Sequence, residues 1–147
     1  MKVKVKRLND KASLPTRGSD KAAAYDVYAC ILTEEGEVKI KPHTTVKIGT
    51  GLSMAPPEGF FVGVYARSGL SSKEGLRPAN CVGVCDADYT GEYIVPLHND
   101  SHVVRRIKNG DRIAQLIFVP CLDAQFEETE SLEETDRGSG GFGSTGK

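Results

Sequence analysis

Short apolar runs, separated by segments that contain glycine and proline, constrain the fold of this chain of 147 residues more than any other feature. Apolar and polar residues alternate at 3–5, 38–40 and 46–48, which is the period of a strand with one buried face. The longer runs at 60–66 and 113–119 are rich in β-branched and aromatic residues, as in strands buried on both faces. The pattern therefore predicts many short strands joined by turns.

Two segments have sequence features that favour a helix. In residues 21–29 the alanines favour a helix, whereas Tyr25 and Val27 favour a strand. The segment is too short for these propensities to decide between the two. Residues 71–76 are predicted to add one or two helical turns after a strand.

Charge and composition exclude several classes of protein. The 19 Lys and Arg residues nearly balance the 20 Asp and Glu residues, which argues against binding to a nucleic-acid backbone or an anionic membrane. No apolar run approaches the roughly 18 residues of a membrane span, and the first residues alternate lysine with valine. We expect a cytoplasmic protein with reduced, buried cysteines at Cys30, Cys81, Cys85 and Cys121.

Residues 80–93 join a small apolar run to acidic residues, an aromatic ring and a tight turn. The run at 81–85 predicts a half-buried strand. The Thr-Gly pair at 90–91 predicts a turn that returns residues 93–96 as the second strand of a hairpin.

The same stretch carries candidate chemistry. On an extended chain Asp86 and Asp88 would share one face. A carboxylate at a buried edge, with the amide of Asn80 and the ring of Tyr89 beside it, could activate water and recognise a flat polar ring. The alternative is an ordinary hairpin whose acidic residues only form the turn.

A second candidate site follows the predicted strand at 60–66. Arg67, Ser68 and Gly69 place a guanidinium, a hydroxyl and a glycine at consecutive positions, which could donate hydrogen bonds to an anion. A solvated arginine beside a helix cap is the alternative. Gln115 lies within an apolar strand, so its amide is either a satisfied core group or a ligand contact.

The C-terminal part divides from the rest. Residues 127–136 include six acidic residues and predict a solvated connector. Residues 137–147 contain five glycines and a single large apolar side chain, Phe142, so they cannot form a core of their own. We expect a domain at 1–136 and, at 137–147, either a lid over a nucleotide or a flexible tail.

A zinc-bound interaction module is an alternative from another functional class. Cys81, Cys85, His98 and His102 match the spacing of a classical zinc finger. Such a finger needs both histidines on one helix, and Pro96 argues against a helix there.

Five blocks of the chain resemble, in order and spacing, the motifs of the homotrimeric dUTP diphosphatases, or dUTPases. They cover nearly the whole chain and lie at 23–27, 66–70, 83–92, 110–115 and 137–146. Three positions depart from the family pattern, which usually has Gly at Ala24, Pro at Ala66, and Ile or Val at Cys85. Ala24 lacks the backbone freedom of glycine, and the other two changes alter packing while leaving the polar groups in place.

The resemblance implies an all-β fold, a jelly-roll-like β-barrel of the dUTPase β-clip type, assembled as a homotrimer with three shared active sites and a mobile C-terminal arm. It also implies hydrolysis of dUTP to dUMP and pyrophosphate, which keeps uracil out of DNA and supplies the thymidylate precursor. A relative to exclude is the dCTP deaminase branch, which shares the fold and works with a glutamate beside the pyrimidine.

The resemblance further assigns roles to individual residues. Asp86 resembles the general base, Asn80 the amide that reads uracil, and Tyr89 the ring under the deoxyribose. Residues that resemble backbone contacts to the base are Gly83, Val84 and Cys85, and those that resemble phosphate contacts are Arg67, Ser68, Gly69 and Gln115. The lid would consist of Arg137, Phe142, Gly143, Ser144 and Thr145.

Mg²⁺ is the cofactor that the resemblance implies. In that family the ion bridges triphosphate oxygens and contacts the protein mostly through water. Asp26 resembles the acid that holds such a water, and no direct protein ligands are expected.

Overall fold

The structure, a computed structural model, describes residues 1–141 and 143. Within these residues the chain forms twelve short strands and one helical turn, Leu70–Glu74. The strands are β1 Lys4–Arg7, β2 Thr16–Arg17, β3 Tyr25–Tyr28, β4 Glu37–Ile40, β5 Thr45–Gly49, β6 Leu52–Ala55, β7 Phe60–Tyr65, β8 Leu76–Pro78, β9 Gly83–Cys85, β10 Ile94–Asn99, β11 Arg105–Lys108 and β12 Arg112–Pro120.

The strands pair in antiparallel fashion and form four hydrogen-bonded groups. The largest sheet has the order β2-β3-β12-β7-β9, and a second has the order β5-β10-β8. Two further pairs are β1-β6 and β11-β4. Most neighbours in these sheets are distant in sequence, as in jelly rolls. The structure confirms the predicted all-β, jelly-roll-like fold. In the part of the chain described, its strands form these four groups and no single closed sheet.

The core lies between the sheets and is built from the alternating positions of the predicted strands. Ile40 and Ile48, the last residues of the predicted strands at 38–40 and 46–48, are 0% and 2% exposed. Val62 and Leu116, from the longer apolar runs, are also buried in the same cluster. Burying one such side chain contributes about 1.5–3 kcal/mol, so the sequence alternation translates directly into stability.

The segment at 21–29, for which the sequence did not decide between helix and strand, contains a strand. Tyr25–Tyr28 forms β3, which pairs with β12 on one side and with β2 on the other. Val27 is 1% exposed and belongs to the core. Pairing with a distant strand therefore overrides the helix propensity of the preceding alanines.

The predicted hairpin at 81–96 is wrong. β9 pairs with β7, with Val84 opposite Gly63, whereas β10 pairs with β5 and β8. The backbone of Tyr93 bonds instead to residues of a distant turn: its N–H donates to the carbonyl of Leu52 at 2.8 Å, and its carbonyl accepts from Thr50. Tyr93 and the inward-facing residues of β10 are buried in the core. Because of this burial, β10 joins a different sheet from β9.

The start of this region also differs from the prediction. Cys81 and Val82 are exposed and lie in a turn, and β9 begins only at Gly83. Asp86 and Asp88 do not share the face of a strand, because the chain turns there and the N–H of Tyr89 donates to the Asp86 carbonyl at 3.2 Å.

Three smaller predictions need correction. The apolar residues at 102–107 predict a strand that begins at His102, but residues 101–103 form a bend and β11 begins at Arg105. The proline and glycine at 14–20 predict a loop, but this segment contains the two-residue strand β2. The four cysteines are all free, as expected, but Cys81 and Cys121 are exposed.

The segment after β12 follows the prediction of a solvated connector. Residues 121–136 form no helix or strand and are exposed. Three large apolar side chains in this segment are almost fully exposed: Leu122 at 95%, Phe126 at 99% and Leu132 at 87%. Among the described residues, none of the helical structure is long and apolar enough to cross a membrane.

Candidate functional site

A cleft of about 300 Å³ opens beside β9, the turn that follows it and the start of β10. Six residues that the sequence singled out line this cleft together: Asn80, Gly83, Val84, Cys85, Asp86 and Tyr89. The remaining lining residues are Lys47, Val64, Glu92, Tyr93, Ile94 and Pro96. The structure therefore brings the candidate base, the candidate amide and the candidate ring to one place, although the hairpin expected to do so is absent from the described fold.

Two glycines allow the side chains of the cleft to approach the backbone. A Cβ atom on Gly83 would lie 3.1 Å from the Cβ of Val64 and 3.3 Å from Nδ2 of Asn80. A Cβ on Gly91 would lie 2.6 Å from Cζ of Tyr89, closer than such atoms approach in proteins. A side chain at Gly83 would press on Val64 and Asn80, and one at Gly91 would displace the tip of the Tyr89 side chain.

A tight turn presents Asn80. Its carbonyl accepts a hydrogen bond from the N–H of Val82 at 2.7 Å, and the residue between them, Cys81, has φ of 62°. A left-handed conformation at a residue other than glycine costs free energy and often occurs at binding sites. Pairing of Ala79 N–H with the Pro96 carbonyl at 2.7 Å holds the turn against β10.

Tyr89 is held at the rim of the cleft. Its hydroxyl donates to the Glu92 carbonyl at 2.9 Å, while 43% of the residue remains exposed. Its ring centroid lies 6.0 Å from that of Tyr93, with an angle of 51° between the rings. Asp86 is exposed, not at a buried edge as predicted, so its carboxylate is accessible to water.

Tyr93 is a cleft residue that the sequence reasoning missed. It is 2% exposed, and among the residues that the structure describes its hydroxyl has no hydrogen-bond partner. Burial raises the pKa of Tyr93 strongly, and nearby Cys85, Tyr89 and Asp86 raise it further. Burial, and then the charge of Asp86, also raises the pKa of the Cys85 thiol. Tyr93 gave no signal because tyrosine is common in strands.

A second group of polar residues surrounds Asp26 in the large sheet. Asp26 is 7% exposed, and its two carboxylate oxygens accept from Nε of Arg67 at 2.9 Å and Nη1 of Arg112 at 3.1 Å. Gln115 lies opposite Asp26 in the register of β12 and β3. Two guanidinium groups against one carboxylate leave an excess of positive charge, which suits an anion. Arg112 lies within the motif block at 110–115, but it was assigned no role from the sequence.

The predicted anion-binding residues belong to this second group and not to the cleft. Ser68 and Gly69 are exposed beside Arg67, at the start of the helical turn. The carbonyl of Ser68 accepts from the hydroxyl of Ser71 at 3.4 Å. None of the described cleft-lining residues comes from this group.

The C-terminal residues do not line the cleft as far as the chain is described. Arg137 is exposed, and its Nε donates to the carbonyl of Gly140 at 2.9 Å. Gly143 has φ of 93°, a conformation that favours glycine. The predicted lid residues Phe142, Ser144 and Thr145 lie outside the described residues.

The zinc-finger alternative is not supported. Residues 1–141 and 143 contain no group of three or more His, Cys, Asp or Glu side chains that could hold a metal ion. His98 lies on a strand and contacts Thr45, with 2.9 Å between Nδ1 and Oγ1. Its expected partner His102 contacts a different histidine, His43.

Comparison with known proteins decides the family. A family model described as dUTPase matches residues 10–146. The chain belongs to the dUTPase family. The deoxyuridine 5'-triphosphate nucleotidohydrolase of Syntrophotalea carbinolica is 45% identical to it over 146 residues, which cover 98% of this chain and 96% of the relative. That of Nautilia profundicola is 42% identical, with full coverage of both chains.

Solved dUTPases share the fold. A mutant of the Staphylococcus bacteriophage 80alpha dUTPase, solved with dUpNHpp, superposes with a TM-score of 0.89. It is 28% identical and each chain covers 99% of the other. The dUTPase fold therefore extends over the β-domain and the connector.

Proposed function

We propose that this protein is a dUTP diphosphatase that hydrolyses dUTP to dUMP and pyrophosphate. The observation that carries the proposal is the cleft, which gathers Asn80, Asp86 and Tyr89 in a member of the dUTPase family. An amide, an exposed carboxylate and an aromatic ring provide base recognition, proton acceptance and sugar packing in one space. The relatives' names and the nucleotide analogue bound to the bacteriophage enzyme support the same substrate.

Recognition of the base rests on hydrogen bonds at the narrow part of the cleft. Asn80 can donate and accept through its side-chain amide, which suits the uracil edge. The backbone of Gly83, Val84 and Cys85 supplies further groups. The ring of Tyr89 packs against the deoxyribose, where its hydroxyl bond to Glu92 keeps it in place.

Hydrolysis uses the Asp86 carboxylate as general base. The carboxylate accepts a proton from a water molecule as the water oxygen forms a bond to the α-phosphorus. The bond between this phosphorus and the oxygen that bridges to the β-phosphorus breaks, and pyrophosphate leaves with that oxygen. Exposure of Asp86 to water is what this role requires.

The phosphates are bound by the second group and by the C-terminal residues. Donors to the phosphates come from Arg67, Ser68, Gly69 and Gln115, and from Arg137 of the lid. The other lid residues are Phe142, which stacks on the base, and Gly143, Ser144 and Thr145. Since Arg67 and its group do not line the cleft of their own chain, we propose that each active site combines the cleft of one subunit with the phosphate-binding group of another in a homotrimer.

Mg²⁺ accompanies the triphosphate in this proposal. Asp26 uses one lone pair of each oxygen for an arginine and retains others, so it fits a role in which it holds a water near the ion. When bound, Mg²⁺ neutralises charge on the phosphate oxygens. Residues of this chain then position the triphosphate and exclude bulk water.

The direct test measures pyrophosphate and ammonia release from dUTP, dTTP, dCTP and UTP. We expect pyrophosphate from dUTP alone at an appreciable rate. Ammonia from dCTP would instead indicate a deaminase.

The test extends to two matched variants. Asp86→Asn keeps the size of the side chain but cannot accept the proton, so we expect kcat to fall about 100-fold or more while dUTP still binds. Asp88→Asn is the control, because Asp88 is exposed and does not line the cleft. Near-normal turnover of Asp86→Asn would contradict the assignment.

A further inference from the structure

A pair of histidines lies outside both groups of the proposed active site. His43 is in the turn that joins β4 to β5, and His102 is in the loop between β10 and β11. Nε2 of His43 lies 3.3 Å from Nδ1 of His102, and the ring centroids are 5.1 Å apart at an angle of 71°. The sequence had grouped His102 with two cysteines and His98, so only the fold reveals this pair.

The distance between the two nitrogens allows them to share a metal ion as well as a hydrogen bond. Without an ion, one ring can donate a long hydrogen bond of 3.3 Å to the other. Two imidazole nitrogens bound to one tetrahedral ion, each at about 2.0–2.1 Å, are roughly 3.3–3.4 Å apart. The separation between His43 and His102 is therefore one at which both rings could bind the same ion with little movement.

The backbone holds both loops in place before any ion binds. The N–H of His43 donates to the Asn99 carbonyl at 2.8 Å and holds His43 at φ of 56°, in the left-handed region. The side chain of Asn99 is fully buried and donates to the carbonyls of Ile40 and Val103 on either side. One buried amide thus connects the two loops, so little conformational entropy is lost when their side chains share a ligand.

We propose that His43 Nε2 and His102 Nδ1 form a site for a first-row transition-metal dication, with water at the remaining positions. Imidazole nitrogen suits Zn²⁺, Ni²⁺, Cu²⁺ and Co²⁺, whereas Mg²⁺ and Ca²⁺ prefer oxygen. The neighbouring Asp100 carboxylate already accepts from Arg77 at 2.7 Å, so the protein supplies two ligands in the part of the chain described.

Such an ion would cross-link the two loops. An ion that binds only the folded state stabilises it in proportion to the logarithm of its free concentration over the dissociation constant. The site lies on other residues than the cleft and needs other metals than the proposed hydrolysis, so the two proposals stand or fall separately.

The experiment titrates Ni²⁺ into the full-length, nucleotide-free protein by calorimetry, with Mg²⁺ as a second titrant. We expect saturable binding of one Ni²⁺ per chain and no response to Mg²⁺ at this site. His43→Asn and His102→Gln should each weaken Ni²⁺ binding about tenfold or more, since each removes one of two ligands. Asparagine is chosen at position 43 because it tolerates a positive φ.

His98→Gln is the matched control, because His98 is the third histidine of the chain and its ring contacts Thr45 and Asp100. It should bind Ni²⁺ as the unmodified protein does. Substoichiometric Ni²⁺ should also broaden the imidazole NMR signals of His43 and His102 before those of His98. Absence of saturable binding, or a loss confined to only one of the two variants, would overturn the site.

Discussion

Tyr93 carries the least favourable local environment at the candidate site. Its ring belongs to the core, yet its hydroxyl is buried without a partner among the described residues. An unpaired buried hydroxyl costs about 1–3 kcal/mol, and a ligand or an ordered water that reaches it would recover part of that cost. The cleft that Tyr93 lines is the route by which either could arrive.

Removing this hydroxyl should leave the nucleotide-free protein at least as stable as before. Tyr93→Phe keeps the ring in the core and eliminates the unpaired group, so we expect the free energy of unfolding to stay the same or rise by about 1 kcal/mol. Urea denaturation at a fixed protein concentration measures this change. A loss of more than about 1 kcal/mol would show that the hydroxyl has a structural partner.

The same variant should change stability at alkaline pH. The ordinary tyrosine pKa is about 10, and burial first, with nearby negative groups, raises that of Tyr93 in the folded state. The folded protein therefore keeps its proton where the unfolded chain has lost it. Its contribution to stability is complete below about pH 10 and is lost as pH rises above that value toward the folded pKa. Tyr93→Phe should show a shallower decline of stability above pH 10.

Tyr89 is the residue that we expect to select the sugar. A ring packed against C2′ of the deoxyribose leaves no space or partner for a 2′-hydroxyl, so UTP would suffer a clash and an unpaired polar group. Tyr89→Ala should lower the ratio of kcat/KM for dUTP over UTP by roughly tenfold. Tyr89→Phe is the control, because it retains the ring and loses only the bond to Glu92. An unchanged ratio in Tyr89→Ala would place the ring elsewhere.

At the scale of elements, the C-terminal segment separates from the β-domain. The hydrogen bonds described for residues 137–141 are local, such as that of Gly140 N–H to the Arg137 carbonyl at 3.0 Å. Ordering so many glycines costs entropy that contacts with a nucleotide would have to offset. We therefore propose that residues 137–147 act as a lid on a β-domain formed by residues 1–136.

Ending the chain after Asp136 tests this division. We expect kcat/KM for dUTP to fall about 100-fold or more, because the proposed lid would supply phosphate contacts and exclude water. The thermal unfolding midpoint and the sedimentation coefficient should change little. Full activity of the shortened protein would show that the segment has no part in catalysis.

For the whole molecule, the structure of one chain leaves two features unexplained by that chain alone. The cleft and the proposed phosphate-binding group around Arg67 do not share lining residues, so neither would complete an active site by itself. The connector also exposes Leu122, Phe126 and Leu132 almost fully, and such exposed apolar side chains mark a contact surface. Assembly with copies of the same chain would account for both features.

We expect the protein to sediment as a trimer of about three times its chain mass of 15.9 kDa. Mixing an Asp86→Asn chain with an Arg67→Ala chain provides a functional check. If sites are shared, mixed trimers should recover part of the activity that each variant lacks. A monomer that is fully active at assay concentration would contradict the shared site.

The sequence by itself determined much of the local structure and chemistry. The alternation at residues 38–40 and 46–48 predicted β4 and β5, because side-chain direction in a strand follows a period of two. The five motif blocks were also sufficient to identify the family, and the stretch at 80–93 selected Asn80, Asp86 and Tyr89, which the cleft brings together. Each of these signals is contained in a short stretch of chain, where backbone geometry is restricted.

Only the tertiary structure decided which distant elements meet. The partner of β9 is β7, the carboxylate of Asp26 lies between two arginines, and His43 lies against His102, 59 residues away. Many alternative pairings would satisfy the same local pattern of strands. Burial of the whole core selects one of them, since hydrophobic stabilisation depends on the total apolar area removed from water and not on separation along the chain.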